Sequence, residues 1–371
     1  MFSTDSTPVK KTITSTFMLF ISTSILDSQA AQIVKDELEI YGKMHVSANR
    51  MNNGHTTGTS ISSNASRIGF KGRHETPKQI DIVWQLEQTV RLDEANGQFA
   101  SRNSYLGISS KVGDLLFGHN DTPYKIVAGY WGLFSDTVPD RLALLGASMI
   151  DNVKMNDRGE NSALYKARFQ SLELQAMYSA SNPTAEDNDT TDDNSAEMRS
   201  YALMYRTDKA YLGVGYEQWD GMALTNIQNS QVERAVINGV RLAGYYWFSD
   251  LQLGFVYEKT EVEDLDKYAH WDKRVYGLSA QYRITTDLDL AMHVLRADSY
   301  ANSQQTGAQL KGLGLFYQLD SQSDLYVAWA QTDNEANASY KVADGGHGDT
   351  VKPFAAGDSP SAFSLGLVFS F

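Results

Sequence analysis

The segment "SAFSLGLVFSF", residues 361–371, sets the first constraint. In an extended chain successive side chains point to opposite faces. Phe363, Leu365, Leu367, Phe369 and Phe371 then share one face, and Ala362, Ser364, Gly366, Val368 and Ser370 share the other. One face is entirely apolar and largely aromatic. A water-soluble domain seldom leaves such a strand at a terminus, where chains fray. Something apolar has to cover that face.

The same period of two recurs along the chain. In "IYGKMHVSAN", Ile40, Gly42, Met44, Val46 and Ala48 oppose Tyr41, Lys43, His45, Ser47 and Asn49. In "LELQAMY", Leu172, Leu174, Ala176 and Tyr178 oppose Glu173, Gln175 and Met177. In "LQLGFVYEK", Leu251, Leu253, Phe255 and Tyr257 oppose Gln252, Gly254, Val256 and Glu258, and "DLYVAWAQ" sets Leu325, Val327 and Trp329 on one side. This is the strand signature. The composition agrees, because 20 Tyr and 28 Gly against 7 Pro suit strands and turns better than helices. No run of 18 apolar residues exists to span a bilayer as a helix. The absence of cysteine removes disulfide frameworks and thiolate metal sites.

The connections follow a second rhythm. Short polar turns fall near 76–78, 111–113, 170–171, 207–209, 249–250, 286–287 and 320–323. Longer polar loops fall near 50–65, 93–101, 120–157, 180–198, 220–233, 260–272, 298–307 and 332–360. Short and long alternate, and together they join sixteen strands. Hydrocarbon cannot satisfy backbone N–H and C=O groups, so a spanning sheet has to close into a barrel. Neighbouring strands then run antiparallel, with short periplasmic turns and long external loops. A soluble sandwich also alternates, but it does not need every second connection to be tight. The fold expected is therefore all-β, a transmembrane antiparallel barrel of sixteen strands.

The start of the chain has a different character. "VKKTITSTFMLFISTSILDSQA", residues 9–30, places Lys10 and Lys11 before an apolar run and ends in Ser28-Gln29-Ala30. Charge, apolar core and small residues come in the order of a secretory signal peptide. Residues 1–30 are expected to be that peptide and 31–371 the barrel.

Several stretches resemble the general porins of Gram-negative bacterial outer membranes. They are "EIYGKMHVSA" at 39–48, "SRIGFKGRHE" at 66–75, "WQLEQTV" at 84–90, "RNSYLGIS" at 102–109, "GHNDTPYK" at 118–125, "LFSDTVPDR" at 133–141 and the closing "GLVFSF". The resemblance is dense over the first 170 residues or so and sparse after them. It implies a homotrimer whose third external loop folds inward and narrows a water-filled channel for passive diffusion of small hydrophilic solutes and ions. It implies a basic wall of Lys43, Arg67, Arg102 and, by a looser match, Arg158, facing Asp136 and Asp140 in the inward loop. Parity agrees for Lys43, Arg67 and Arg158; Arg102 shares its parity with apolar Leu106 and Ile108. The resemblance further implies that Phe371 is an assembly signal read by the outer-membrane insertion machinery. Periplasmic chaperones, outer-membrane lipids and lipopolysaccharide are the other partners implied. One departure stands out: Leu116 and His119 occupy positions near which relatives carry Arg.

Other chemistries find little support. The 7 His are scattered without an H-E-x-x-H pattern, and no phosphate-cradling glycine loop occurs. The acidic run "AEDNDTTDDNSAE" at 185–197 lacks the ligand order of a calcium loop and reads as a solvated loop. A net charge of −13 disfavours nucleic acid. No catalytic residue, metal or cofactor is expected. A solute-specific channel on the same barrel is the alternative, ahead of an outer-membrane enzyme or a structural barrel. The acid excess, with Asp136 and Asp140 in the inward loop, leads us to expect a modest preference for cations.

Overall fold

The computed structural model describes residues 31–34, 38–93, 102–150, 154–183 and 195–371. The expected signal peptide, most of the 93–101 loop and most of the acidic 185–197 run lie outside them. Sixteen strands close into one antiparallel ring. They are β1 (Leu38–Asn52), β2 (Thr57–Ser63 and Arg67–His74), β3 (Asp81–Thr89), β4 (Ser104–Ser110), β5 (Gly113–Asp121), β6 (Arg158–Phe169), β7 (Leu172–Pro183) and β8 (Ser195–Arg206). They continue as β9 (Ala210–Thr225), β10 (Val232–Phe248), β11 (Leu251–Val262), β12 (Lys273–Arg283), β13 (Leu288–Ala297), β14 (Ala308–Gln318), β15 (Ser323–Asn334) and β16 (Ser361–Ser370). Each strand pairs with the next, and β16 returns to β1 from Ser361↔Asn52 to Ser370↔Lys43. A short segment, Ala31–Val34, adds to the free part of β1 through Ala31↔Ile40 and Gln32↔Glu39.

The alternation works as hydrocarbon requires. On β16, Phe363, Leu365, Leu367 and Phe369 are exposed on the outer surface, while Ala362 and Ser364 are buried inside. Two outer aromatic rows border the aliphatic band. One near the short turns holds Phe169, Tyr205, Tyr246, Tyr282, Tyr317 and Phe369; one near the longer connections holds Tyr178, Tyr216, Tyr257, Tyr276, Trp329 and Phe363. Such girdles mark the two interfaces of a membrane barrel.

Two of the expected long loops are short. Residues 50–65 are not a loop: β1 runs to Asn52, a turn occupies 53–56, and β2 starts at Thr57. The polar Thr57–Ser63 strand has little apolar pattern beyond Ile61, so its sequence looks like a loop. The 220–233 loop likewise shrinks to 226–231, because β9 and β10 extend into it. The strand count is unaffected.

β2 breaks between Ser63 and Arg67, where Ala65 adopts φ 48°. The gap is filled chemically. Ser66 Oγ accepts from His45 N at 2.9 Å and donates to His45 O at 3.1 Å, and Asn64 N also donates to His45 O at 2.8 Å. The backbone of β1 therefore keeps its partners across the break.

The third external connection, 122–157, lies inside the ring over its described residues 122–150 and 154–157. Its helix α1 (Pro123–Trp131) starts at Thr122, whose side chain accepts from Lys125 N, with Pro123 in the first turn. Val127, Trp131, Phe134, Val138, Leu144 and Leu145 are buried, in one cluster with inward Met204, Tyr211, Ala243, Val256 and Leu295. The loop thus has its own apolar core shared with the inner wall of β8–β13.

Candidate functional site

Charge concentrates on the opposite inner wall. Lys43 and Arg67 are cross-strand neighbours on β1 and β2. Lys43 Nζ donates to Asp136 Oδ2 of the inward loop at 2.9 Å, joining wall to loop. Arg102, just before β4, donates through Nε to Glu87 Oε1 at 2.5 Å, and Arg67 Nε lies 3.6 Å from Glu87 Oε2. Tyr41 OH donates to the same carboxylate at 3.0 Å. Arg158, at the start of β6, lies 3.3 Å from Asp121 Oδ1, and Lys125 of α1 reaches that oxygen at 2.7 Å. Side-chain exposures stay between 12% for Lys43 and 26% for Asp121 except at Glu87, which has 9%. These groups form one cluster of alternating charge where the inward loop meets the wall.

The structure therefore brings Lys43, Arg67, Arg102, Arg158 and Asp136 together, and it sets Asp140 apart. Asp140 is buried, caps the short helix Arg141–Ala143 by accepting from Leu142 N at 2.9 Å, and accepts from Asp136 N at 2.8 Å. It holds the loop's shape and does not face the wall. Arg102 escapes the parity problem because it precedes β4 and its side chain is not fixed by strand alternation. Leu116 is buried inside, among apolar residues.

Glu87, Asp121 and Lys125 are the members that the residue patterns did not single out. Glu87 had a signal, since alternation in "WQLEQTV" puts it on the same face as Gln85. Asp121 and Lys125 are four apart across a helix start, a spacing suited to an ion pair.

The two loop acids differ electrostatically. Burial alone would raise the Asp136 carboxyl, but the Lys43 ammonium and the Arg67 guanidinium outweigh it and hold it well below the usual carboxylate range. Burial pushes Asp140 up to about 6, with the nearby Asp136 charge adding to it and Arg141 opposing. Burial also lowers Lys125, against the pull of Asp121.

A second network bolts the loop to the far wall. Arg241 and Glu258, on β10 and β11, are fully buried and form an ion pair through Arg241 Nη2 and Glu258 Oε2. Glu258 accepts from Tyr124 OH at 2.8 Å and from Gly146 N at 2.6 Å. Arg241 donates to Asn156 Oδ1 at 2.7 Å and to Tyr124 O at 3.1 Å. Lys273 Nζ donates to Leu144 O at 2.9 Å. Both halves of the loop are gripped, so the Asp136 tip is presented from a fixed base.

The geometry suits a channel. Cations fixed on the wall meet a carboxylate presented from the loop, the kind of charge arrangement that tunes selectivity in pores. Among the described residues no His, Asp and Glu cluster is arranged to hold a metal. Phe371 sits at the seam: its N donates to Gly42 O at 3.1 Å, its O accepts from Gly42 N at 2.9 Å, and its ring lies against Gly42 and beside Phe369.

Comparison with known proteins agrees with this reading. The family model described as Gram-negative porin matches residues 22–367. The major outer membrane protein P.IB of Neisseria meningitidis serogroup A is 25% identical over 244 residues, which is 60% of this chain and 73% of that protein. Among solved structures, the anion-selective porin from Comamonas acidovorans superposes with a TM-score of 0.74 at 16% identity, covering 90% of this chain and 99% of that one. OmpT of Vibrio cholerae, in its trimer form, gives 0.66 at 15% identity, covering 90% and 99%. The last two establish the fold alone, and the family match establishes the rest: this chain belongs to the Gram-negative porins and forms an outer-membrane channel for passive solute diffusion.

Proposed function

We propose that the narrowest part of this channel runs beside the Lys43–Asp136 ion pair, along the wall of Arg67, Arg102 and Arg158, and that it weakly favours anions. The observation that carries this is the local balance of charge. Lys43, Arg67, Arg102, Lys125 and Arg158 face Glu87, Asp121 and Asp136, and Asp157 nearby does not reverse the excess of cations. The opposite expectation from composition counted Asp140, which is buried as a helix cap, and external acids that are screened over about 10 Å at 0.1 M salt. The confined gap focuses the field of the nearer groups.

The working unit is a homotrimer, which the trimer form of the Vibrio cholerae protein supports as a family architecture. Residues 1–30 act as the export signal, and Phe371 and its strand are what the periplasmic chaperones and insertion machinery read. Lipid and lipopolysaccharide cover the outer face. Purified protein in a planar bilayer tests the reading. Stepwise conductance in triplets and a reversal potential of anion-selective sign across a KCl gradient are expected. A silent bilayer or clear cation selectivity refutes it. A mature N-terminus elsewhere than Ala31 refutes the assigned cleavage point.

A further inference from the structure

The last long connection, 335–360, also enters the barrel. Val342 and Val351 form an antiparallel bridge, so the segment is a small hairpin. Ala338, Tyr340, Val342, Ala343, Asp344 and His347 along it are buried. On one side it holds the third connection: Ala343 N donates to Val138 O at 3.0 Å and Lys154 Nζ meets Asp344 Oδ1 at 2.7 Å. On the other it holds the wall: Gly348 N donates to Asn64 Oδ1 at 2.9 Å, and Ser60 Oγ to Asp349 Oδ2 at 2.6 Å.

Its two glycines meet the two loop acids. Gly345 has φ +73°, and a Cβ there would lie 2.9 Å from Asp140 Cγ. A Cβ on Gly346 would lie 1.7 Å from Asp136 Oδ1. Asp136 itself has φ 64°, a left-handed backbone that Asp tolerates better than most non-glycine residues. Its carboxylate is therefore enclosed between the Lys43 ammonium and the Gly346 backbone.

We infer that Gly345 and Gly346 are positioning residues of the filter: the inserted 335–360 hairpin holds the Asp136 carboxylate against Lys43, and ion selectivity depends on that second inward loop. This rests on the assignment of Asp136 to the narrowest gap. Any side chain at position 346 displaces the carboxylate, so Gly346→Ala reproduces part of what Asp136→Asn does without changing a charge.

The test is reversal potential across a KCl gradient for trimers shown to be folded by heat-modifiable migration. Gly346→Ala is expected to shift selectivity toward anions, in the direction of Asp136→Asn and by no more than it. Adding Gly346→Ala to Asp136→Asn is expected to shift nothing further. Ser60→Ala removes the donor to Asp349 Oδ2, loosens the hairpin from the wall without changing a charge or touching Asp136, and gives the same pattern if Gly346→Ala does not assemble. An unchanged reversal potential in the folded glycine variant, where Asp136→Asn does shift it, overturns the positioning role alone. A shift that adds in full to Asp136→Asn overturns it too. No shift from Asp136→Asn removes both this inference and the site assignment beneath it.

Discussion

Lys43→Gln gives the sharpest test of the wall. The change removes the ammonium that Asp136 accepts at 2.9 Å, while the loop stays gripped by Arg241, Glu258 and Lys273. An ion in the gap passes about 6 Å from such a group, where the Coulomb term in water is about 0.7 kcal/mol. Screening over about 10 Å at 0.1 M leaves about 0.4 kcal/mol. The term acts with opposite sign on an anion and a cation, so the anion-to-cation permeability ratio falls by about 3- to 4-fold. At 1 M the screening length is about 3 Å and the same change shrinks to about 1.4-fold. Reversal potentials measured at both salt concentrations read this directly. No change at 0.1 M refutes the wall assignment. A change of the same size at 1 M shows that it does not act through screened charge.

Other outcomes follow from the same geometry. Arg241→Met leaves Glu258 buried without its cation, which costs about 3–5 kcal/mol; the folded barrel is expected to melt at lower temperature and the channel to become noisier, and an unchanged melting profile counts against the latch. Asp140 has a folded pKa of about 6, above its unfolded value. Its stabilising contribution is thus full below about pH 4 and lost as pH rises through about 6. Thermal stability is expected to rise between pH 7 and 4.5 by more in the native chain than in Asp140→Asn, and equal rises dismiss the effect. Phe371→Ala removes the ring packed on Gly42 and beside Phe369; less folded barrel per chain made is expected by heat-modifiable migration, and normal yield rejects the role.

The strand architecture was legible because hydrocarbon imposes a period of two with few exceptions. Where lipid contact is slight the signal fades, as in Thr57–Ser63, whose side chains are polar on both faces apart from Ile61. Lys43 and Arg67 were legible by parity, since Ile40, Met44, Ile68 and Phe70 commit the other face to lipid. Asp136 and Asp140 were not separable in "FSDTVPDR". Two acids four apart look alike until the backbone turns one toward Lys43 and folds the other under its own helix start. Glu87 hid for a different reason. An inward acid on a strand looks ordinary until two arginines from distant positions converge on it.

The seam between β16 and β1 sets the order of events in folding. Every other neighbouring pair is a hairpin or a connection of modest length. The seam alone joins positions roughly 310 to 330 residues apart, a closure that costs about 5 kcal/mol of chain entropy. Hairpins can form and grow by local steps, whereas the seam returns nothing until both ends of the sheet meet. Closure is then the late, slow event on the assembly pathway. Until it occurs, β1 and β16 present open edges to any extended chain nearby. The last strand's aromatic face and the Gly42–Phe371 clasp thus bear on a kinetic risk, the time a nascent sheet spends vulnerable to aggregation, as well as on the finished wall.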